Sequence, residues 1–476
     1  METIGTIVAP ATAPGGALAV IRVSGSEAIA LCDGIFRGPG GTLSAARGYT
    51  LHYGEIVNGR AVVDQVVVSL FRTPRSYTGE DMVEISCHAS PYILQQIIQL
   101  LIAAGARIAA PGEFTVRAFL AGKIDLVQAE AVADLIASTG RADHAMAANQ
   151  LRGGYSAEFS ALRGELVRLV SLLELELDFG EEDVTFADRA ELAGLLAQIT
   201  EKVSVLLDSF ALGNAVKQGV GVAIVGSPNV GKSTLLNALL KEERALVSEI
   251  PGTTRDVIEE ALNIDGIPFR FIDTAGIRAT DDALEKMGIE RTFSSISRAR
   301  IILLTVDAGE IGAGASKAIR ESAVRQAVRD ALEKITPSED QKMGIILNKI
   351  DKNRGETGEW ESLTATLKAE TGYPVVAVSA KEGTGLGALT LFLAESVAVE
   401  PLYNGSTVIS NVRHHEALRH AKKSLECAMQ GLQNNISADL LAQDVREVLH
   451  YIGTITGEIT NDEILGAIFS GFCIGK

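Results

Sequence analysis

Residues 220–240, VGVAIVGSPNVGKSTLLNALL, constrain the fold more than any other stretch of this chain. Val220 to Val225 form an apolar run without polar alternation, the pattern of a strand buried on both faces of a parallel sheet. Gly226-Ser-Pro-Asn-Val-Gly231-Lys232-Ser233 follows at once, matching GxxxxGK[ST], and a helical pattern continues from it. Strand, glycine-rich loop and helix in that order build a cradle for phosphates. The glycines let successive N–H groups from Asn229, Val230, Gly231, Lys232, Ser233 and Thr234 turn toward anionic oxygens, aided by the positive end of the helix. Lys232 adds a point charge, and the Ser233 hydroxyl suits a magnesium ion. From Gln218 to about Val397 strands and helices alternate, as a parallel sheet requires.

Three further segments refine the site. Asp273-Thr274-Ala275-Gly276 ends an apolar strand, placing a carboxylate for magnesium through water and a glycine amide for the γ-phosphate. Asn348-Lys349-Ile350-Asp351 closes another strand and selects the base. The Asp351 carboxylate accepts from guanine N1–H and the exocyclic amine, whereas adenine would leave it desolvated and unpaired. Ser379-Ala380-Lys381 follows a third strand and is expected to meet the base through its backbone. Together these motifs predict a GTP-binding GTPase. In the loop 248–256, SEIPGTTRD, Thr254 is the expected magnesium ligand and γ-phosphate sensor, with Thr253 its rival. Arg255 reads equally as a salt-bridge partner and as a cation for the phosphates. Ile277 stands where Ras-like chains place a water-orienting glutamine, so that task falls elsewhere. Asp281, Asp282 and Glu285 supply carboxylates nearby, which a solvated helix would also carry.

The rest of the 476-residue chain is too long for one core. Residues 1–120 mix β-branched runs such as LAVIRV and VVDQVVVSLF with turn-rich segments, the texture of an α+β domain. Residues 121–215 turn helical, with Leu162, Leu166, Leu169, Leu173 and Leu177 forming one stripe. Helical texture returns over 399–476 at Leu418, Ala421, Leu425, Met429 and Leu432, then Leu441, Val445, Val448 and Ile452. The expectation is a multidomain protein in which an α/β P-loop G domain, 216–398, is inserted into a discontinuous all-α domain. Three domains in a row are the plainer alternative. Residues 307–342 look like a charged, helical, peripheral extension without chemistry. A net charge of −17 argues against a general nucleic-acid binder, because phosphate-backbone affinity needs lysine and arginine patches. Four scattered cysteines without a CxxC pair fit a reducing compartment, and neither a leader nor a spanning apolar run is visible, so a cytoplasmic protein off the membrane is expected.

IPGTTRD, the DTAGIR segment running into EKMGIER, and the terminal Phe472-Cys473-Ile474-Gly475-Lys476 together resemble the MnmE (TrmE) family of tRNA-modification GTPases. APATAPGGALAVIRVSGS, SYTGEDMVEI and PGEFTVRAFLAGKIDLVQAEAVADLI are similar to that family too, so the resemblance runs essentially end to end. It implies a homodimer with an N-terminal tetrahydrofolate-binding and dimerisation domain, a helical domain and an inserted Ras-like G domain. It also implies a heterotetramer with the FAD-dependent partner MnmG (GidA). With that partner, such proteins place an aminomethyl or carboxymethylaminomethyl group on the wobble uridine of certain tRNAs, using 5-formyl- or methylene-tetrahydrofolate. Hydrolysis in the family is stimulated when two G domains meet around potassium.

Carried over residue by residue, the resemblance makes Asn229 a potassium ligand, joined by oxygens of Ser248, Ile250 and Thr253. Glu285 becomes the residue that orients the catalytic water. Arg22, Glu80, Lys123 and Lys476 fall where the family holds folate, positions that residue type alone would assign to surface ion pairs. Cys473 becomes a functional thiol beside that site. Two rivals differ in sequence features. A ribosome-assembly GTPase shares the phosphate loop and the TTRD segment, but usually carries a basic RNA-binding domain. A folate-dependent transferase with a merely regulatory G domain differs only in what hydrolysis drives.

Overall fold

The computed structural model describes residues 5–13, 15–178, 189–244, 260–272, 296–309, 316–333, 335–338, 341–352, 359–397, 406–460, 462–470, 472 and 475. They belong to two compact units, one built from 1–136, 147–203 and 417–476, the other from 137–146 and 204–416.

The first unit holds a seven-stranded sheet of β1 (Ile7–Pro10), β2 (Leu18–Ser24), β3 (Phe36–Arg37), β4 (Thr50–Asn58), β5 (Ala61–Phe71), β6 (Met82–His88) and β7 (Arg107–Ile108). Its order is β3-β4-β5-β6-β2-β1-β7. Every neighbouring pair is antiparallel except β1 with β7. Alternation within β5 shows why one face is buried: Val66, Val68 and Leu70 point into the core, while Gln65 and Val67 point out. Helices Ala28–Ile35 and Pro91–Ala104 cover the inner face, bringing Ile29, Cys32, Ile97 and Leu101 against Ile21, Val68 and Ile85. The outer face leaves Leu18, Leu51, Tyr53 and Val67 exposed.

Helix Gly154–Asp178 buries Leu162, Leu166, Leu169 and Leu173, and packs on helix Ala438–Thr456, which buries Leu441, Val445, Val448 and Ile452. These are the stripes that the spacing predicts. Helix Asp462–Phe469 then sets Leu465 and Phe469 against Val116, Leu126 and Ala129.

A buried ionic brace orders the turn into helix Glu113–Leu120. Arg117, 3% exposed, donates to Glu113 Oε1 at 3.0 Å and to Glu80 Oε2 at 2.8 Å. It also donates to the Gly5 carbonyl at 2.8 Å. Burial opposes ionisation of Glu113, but bonds from Arg107, the Ala110 amide and Arg117 outweigh it and hold the carboxyl below its ordinary range.

The second unit holds β8 (Val220–Val225), β9 (Glu260–Ile264), β10 (Ile267–Phe271), β11 (Ile301–Asp307), β12 (Lys342–Asn348) and β13 (Val375–Ala377). Their order is β13-β12-β11-β8-β10-β9, parallel throughout except β9 with β10. Successive strands leave β8 in both directions, so a crevice opens beyond its C-terminal end, where α/β sheets bind ligands. Helix Lys317–Leu332 corrects the peripheral reading of 307–342. Val324 and Val328, one turn apart, are fully buried in the same cluster as Leu304, Val306 and Ile345. Arg320 and Glu321, four and three residues before Val324, stand on the same side of the helix as partly buried charges and interrupt that stripe in the sequence. No helix among the described residues is long and apolar enough to cross a membrane.

Arg117→Met is expected to destabilise the first unit by about 3–5 kcal/mol, because two carboxylates lose their buried cation. The shift in urea midpoint would measure it. A lowered folded-state pKa means that the Glu113 contribution is complete above the ordinary carboxylate range and lost as pH falls through the lowered value. Glu113→Gln is therefore expected to flatten the acid limb of stability against pH, followed by urea melts across that limb.

Candidate nucleotide site

The phosphate loop leaves β8 at Gly226, and helix Lys232–Arg244 begins where the loop ends. Two glycines are required by close approach. A Cβ on Gly226 would lie 2.2 Å from the Thr305 carbonyl oxygen, and one on Gly231 would lie 2.5 Å from Asn348 Nδ2. Asn229 between them has φ +61°, a left-handed value uncommon outside glycine. The Lys232 ammonium donates to the Gly226 and Ser227 carbonyls, each at 2.9 Å. Partial burial lowers its pKa, as expected for an ammonium withdrawn from water. Ser233 stands half-buried in the first turn of the helix, and Thr234 is exposed beside it. The hydroxyl, the ammonium and the amides at the helix start form a donor set suited to a magnesium–polyphosphate group.

The base end is tied to this loop. Asn348, 1% exposed, donates through Nδ2 to the Val230 carbonyl at 2.8 Å and accepts the Ala380 N–H at Oδ1 at 3.2 Å. Ser379 Oγ donates to Asp351 Oδ1 at 2.6 Å and accepts the Glu382 N–H at 3.2 Å. Asp351 thus has one oxygen held while the carboxylate stays at the strand end, oriented for a planar donor pair. Lys349 reaches from β12 to the Asn229 carbonyl at 2.5 Å. Lys381 is exposed on the loop after Ala380. The structure therefore brings Asn229 to Thr234, Asn348, Lys349, Asp351, Ser379 and Ala380 into one crevice. Ser248, Ile250, Thr253, Thr254, Asp273, Thr274, Ala275, Gly276 and Glu285 lie outside the described residues.

The sequence reading misses Asp307. Its carboxylate sits 2.6 Å from Lys349 Nζ and accepts the Gly309 N–H at 3.0 Å. A signal was available: a lone acid closing the otherwise apolar or hydroxylated run IILLTVD.

In the first unit a cavity of about 410 Å³ is lined by Tyr49, Phe71, Arg75, Tyr77, Glu84 and Lys123, among others. That volume suits a small organic ligand. Arg22 stands at this wall, bonding Glu84 Oε1 through Nε at 2.9 Å, with its guanidinium 5.4 Å from the Tyr77 ring centre and 5.6 Å from that of Phe114. Its Nη1 donates to the Gly475 carbonyl at 3.3 Å. Lys123 Nζ donates to the Pro74 carbonyl at 3.0 Å. Glu80 is engaged by Arg117 and by Ser24 Oγ at 2.8 Å, away from the lining. Cys473 and Lys476 lie outside the described residues. Their neighbours Phe472 and Gly475 pack against Gly112 and Pro10 respectively. Tyr77 and Glu84 fall within the SYTGEDMVEI segment, which assigns them no role, and Tyr49 lies in none of the family-like segments.

A parallel sheet with a phosphate loop at its switch point, tied to an Asn-Lys-x-Asp strand end, defines a P-loop GTPase. Residues 6–123 match the family described as "GTP-binding protein TrmE N-terminus", and residues 126–473 match "MnmE helical domain". The chain belongs to the MnmE (TrmE) family. Three curated relatives, each called tRNA modification GTPase MnmE, are 49% identical. That of Bacteroides thetaiotaomicron aligns over 99% of both chains, that of Christiangramia forsetii over 100% of both, and that of Flavobacterium psychrophilum over 99% of both. Among solved structures, the G domain of the T. maritima FeoB iron transporter covers 38% of this chain and 99% of its own. Its identity is 24% and its TM-score 0.26, a likeness too slight to support an argument.

Ser379→Ala is expected to weaken GDP binding about tenfold, the loss of one hydrogen bond to a charged acceptor. IDP, which lacks the exocyclic amine, is expected to lose less. Displacement of a fluorescent nucleotide would measure both.

Proposed function

We propose that this chain hydrolyses GTP in the service of tRNA modification, placing an aminomethyl or carboxymethylaminomethyl group on wobble uridine together with an FAD-dependent MnmG-type partner. The observation that carries the reading is the end-to-end match to tRNA modification GTPases at 49% identity. The nucleotide crevice supports its GTPase half. The ligand chemistry of the first unit supports the other half: aromatic Tyr49, Phe71 and Tyr77 suit a planar heterocycle, and Arg75 and Lys123 suit carboxylates, as a reduced folate presents. A bound tetrahydrofolate would supply a one-carbon unit there. Arg22, Lys123 and the terminal segment with Cys473 and Lys476 would hold it, and the Gly475 contact to Arg22 favours that grouping.

In the G domain Ser233, Thr254 and, through water, Asp273 would hold magnesium. Asn229 with Ser248, Ile250 and Thr253 would hold potassium when two G domains meet. The cation would supply charge compensation to the phosphates, and Glu285 would orient the water that Ile277 cannot. The exposed Leu18, Leu51, Tyr53 and Val67 form an apolar sheet face fit for a second copy of the chain, consistent with a homodimer. Because the chain is acidic, the partner is expected to supply much of the basic surface that tRNA requires. The site of action that follows is the cytoplasm.

Mass spectrometry of tRNA nucleosides from cells lacking the gene is expected to show loss of the wobble-uridine modification, restored by the wild-type gene. An unchanged profile would redirect the reading to ribosome assembly. Cys473→Ser is expected to abolish modification while GTP hydrolysis stays near wild type. Glu285→Ala is expected to abolish hydrolysis, and hydrolysis by the wild type is expected to be faster in potassium than in sodium. Equal rates in the two salts would remove the cation from the scheme.

A further inference from the structure

We propose that Asp307 is a positioning residue for the phosphate loop, holding Lys349 so that Lys349 keeps Asn229 in the backbone conformation that nucleotide phosphates need. Asp307 is 8% exposed at the end of β11. One carboxylate oxygen accepts the Gly309 N–H at 3.0 Å, which sets its direction. The other lies 2.6 Å from Lys349 Nζ, and that same nitrogen donates to the Asn229 carbonyl at 2.5 Å.

Two residues in this chain of contacts are left-handed, Lys349 at clear cost and Asn229 at the smaller cost asparagine has there. Asn229 has φ +61° and Lys349 has φ +64°, left-handed values that crowd a Cβ against the backbone. Such conformations persist only where the surroundings over-determine them. Close packing holds the loop at Gly226 and Gly231, but Asn229 between them stands beside a void. A cavity of about 270 Å³ borders Ser227, Pro228, Asn229 and Val230 on one side and Thr305, Asp307 and Ala327 on the other. At Asn229 the loop keeps its shape through polar ties instead.

The ties also determine where its donors point. In a planar trans peptide the carbonyl and the following N–H project to opposite sides. Lys349 drawing the Asn229 carbonyl outward turns the Val230 N–H inward. Asn348 drawing the Val230 carbonyl does the same for the Gly231 N–H. Asn348 is a neutral group, anchored by the bond its oxygen accepts from the Ala380 N–H. Lys349 is a half-buried ammonium on a flexible stem, and a fixed carboxylate behind it keeps it in place.

Asp307→Asn keeps the shape and removes the charge. The proposal rests on the nucleotide site described above, and its signature is selective for phosphates. GDP affinity is expected to fall about tenfold, the factor that about 1.4 kcal/mol of lost anchoring converts to. Guanosine, which makes no phosphate contacts, is expected to displace a fluorescent nucleotide with an unchanged constant. Adding Asn229→Gly to Asp307→Asn is expected to recover most of the GDP affinity, because glycine adopts φ +61° without strain. Equal weakening of GDP and guanosine, a GDP constant within twofold of wild type, or no recovery in the double variant would each overturn the proposal. Wild-type protein that failed to bind GDP would overturn it together with the nucleotide site.

Discussion

Asn348 stands behind both ends of the nucleotide site. It is fully engaged, with its amide nitrogen on the phosphate loop at Val230 and its oxygen on the base loop at Ala380. Burying an amide in the interior is costly unless its polar atoms are satisfied, and here those bonds do the organising. The loops that leave β8, β12 and β13 meet through scattered bonds, such as the Ile350 N–H to the Val378 carbonyl and Ser379 Oγ to Asp351. A single side chain from the middle strand end converts three separate loops into one surface. Its neighbour Lys349 extends the tie to Asn229, and Gly231 must lack a side chain because Asn348 occupies that space. The motif residues therefore build the crevice as well as binding in it.

The first unit solves a comparable problem with charge. Helix Glu113–Leu120 starts from a left-handed Gly112 and turns sharply out of β7, leaving backbone groups and carboxylates near the core. Arg117 gathers Glu113, Glu80 and the Gly5 carbonyl, which is several acceptors for one planar cation. Glu80 is thereby committed to the scaffold, and the polar wall of the adjoining cavity passes to Glu84, Arg75 and Lys123.

Periodicity carried most of the fold. The Leu162–Leu173 and Leu441–Ile452 stripes are simple 3.6-residue patterns, and each became a buried helix face. The unbroken run at 220–225 became the central strand, because only a strand buried on both faces tolerates that composition. The nucleotide site was legible for a different reason: backbone cradles need glycine at fixed spacing, and spacing survives in one dimension. Asp307, Glu84 and Tyr77 were not legible, since their roles depend on which strand ends and loops become neighbours. The peripheral reading of the helix at 317–332 follows from composition, because charged residues such as Arg320 and Glu321 are interleaved with the stripe that buries Val324 and Val328.

The order of segments along the chain has a physical consequence for the first unit. Helix Gly154–Asp178 packs against Ala438–Thr456, which lies beyond the 216–398 segment in sequence, and is also tied to helix Arg189–Gln218 through Arg168–Glu191 and Lys202–Glu165. Pairing these halves returns the C-terminal segment to the N-terminal sheet. There Phe469 joins the cluster with Val116 and Leu126, and Gly475, at φ +100°, approaches Pro10 so closely that any Cβ would lie 2.0 Å from its carbonyl oxygen. Arg22 then reaches the Gly475 carbonyl and Glu84 together. Arg22, which bonds Glu84 and faces Tyr77 of the cavity lining, therefore gains its Gly475 contact only once the helical pairing has brought the C-terminal segment back to the sheet.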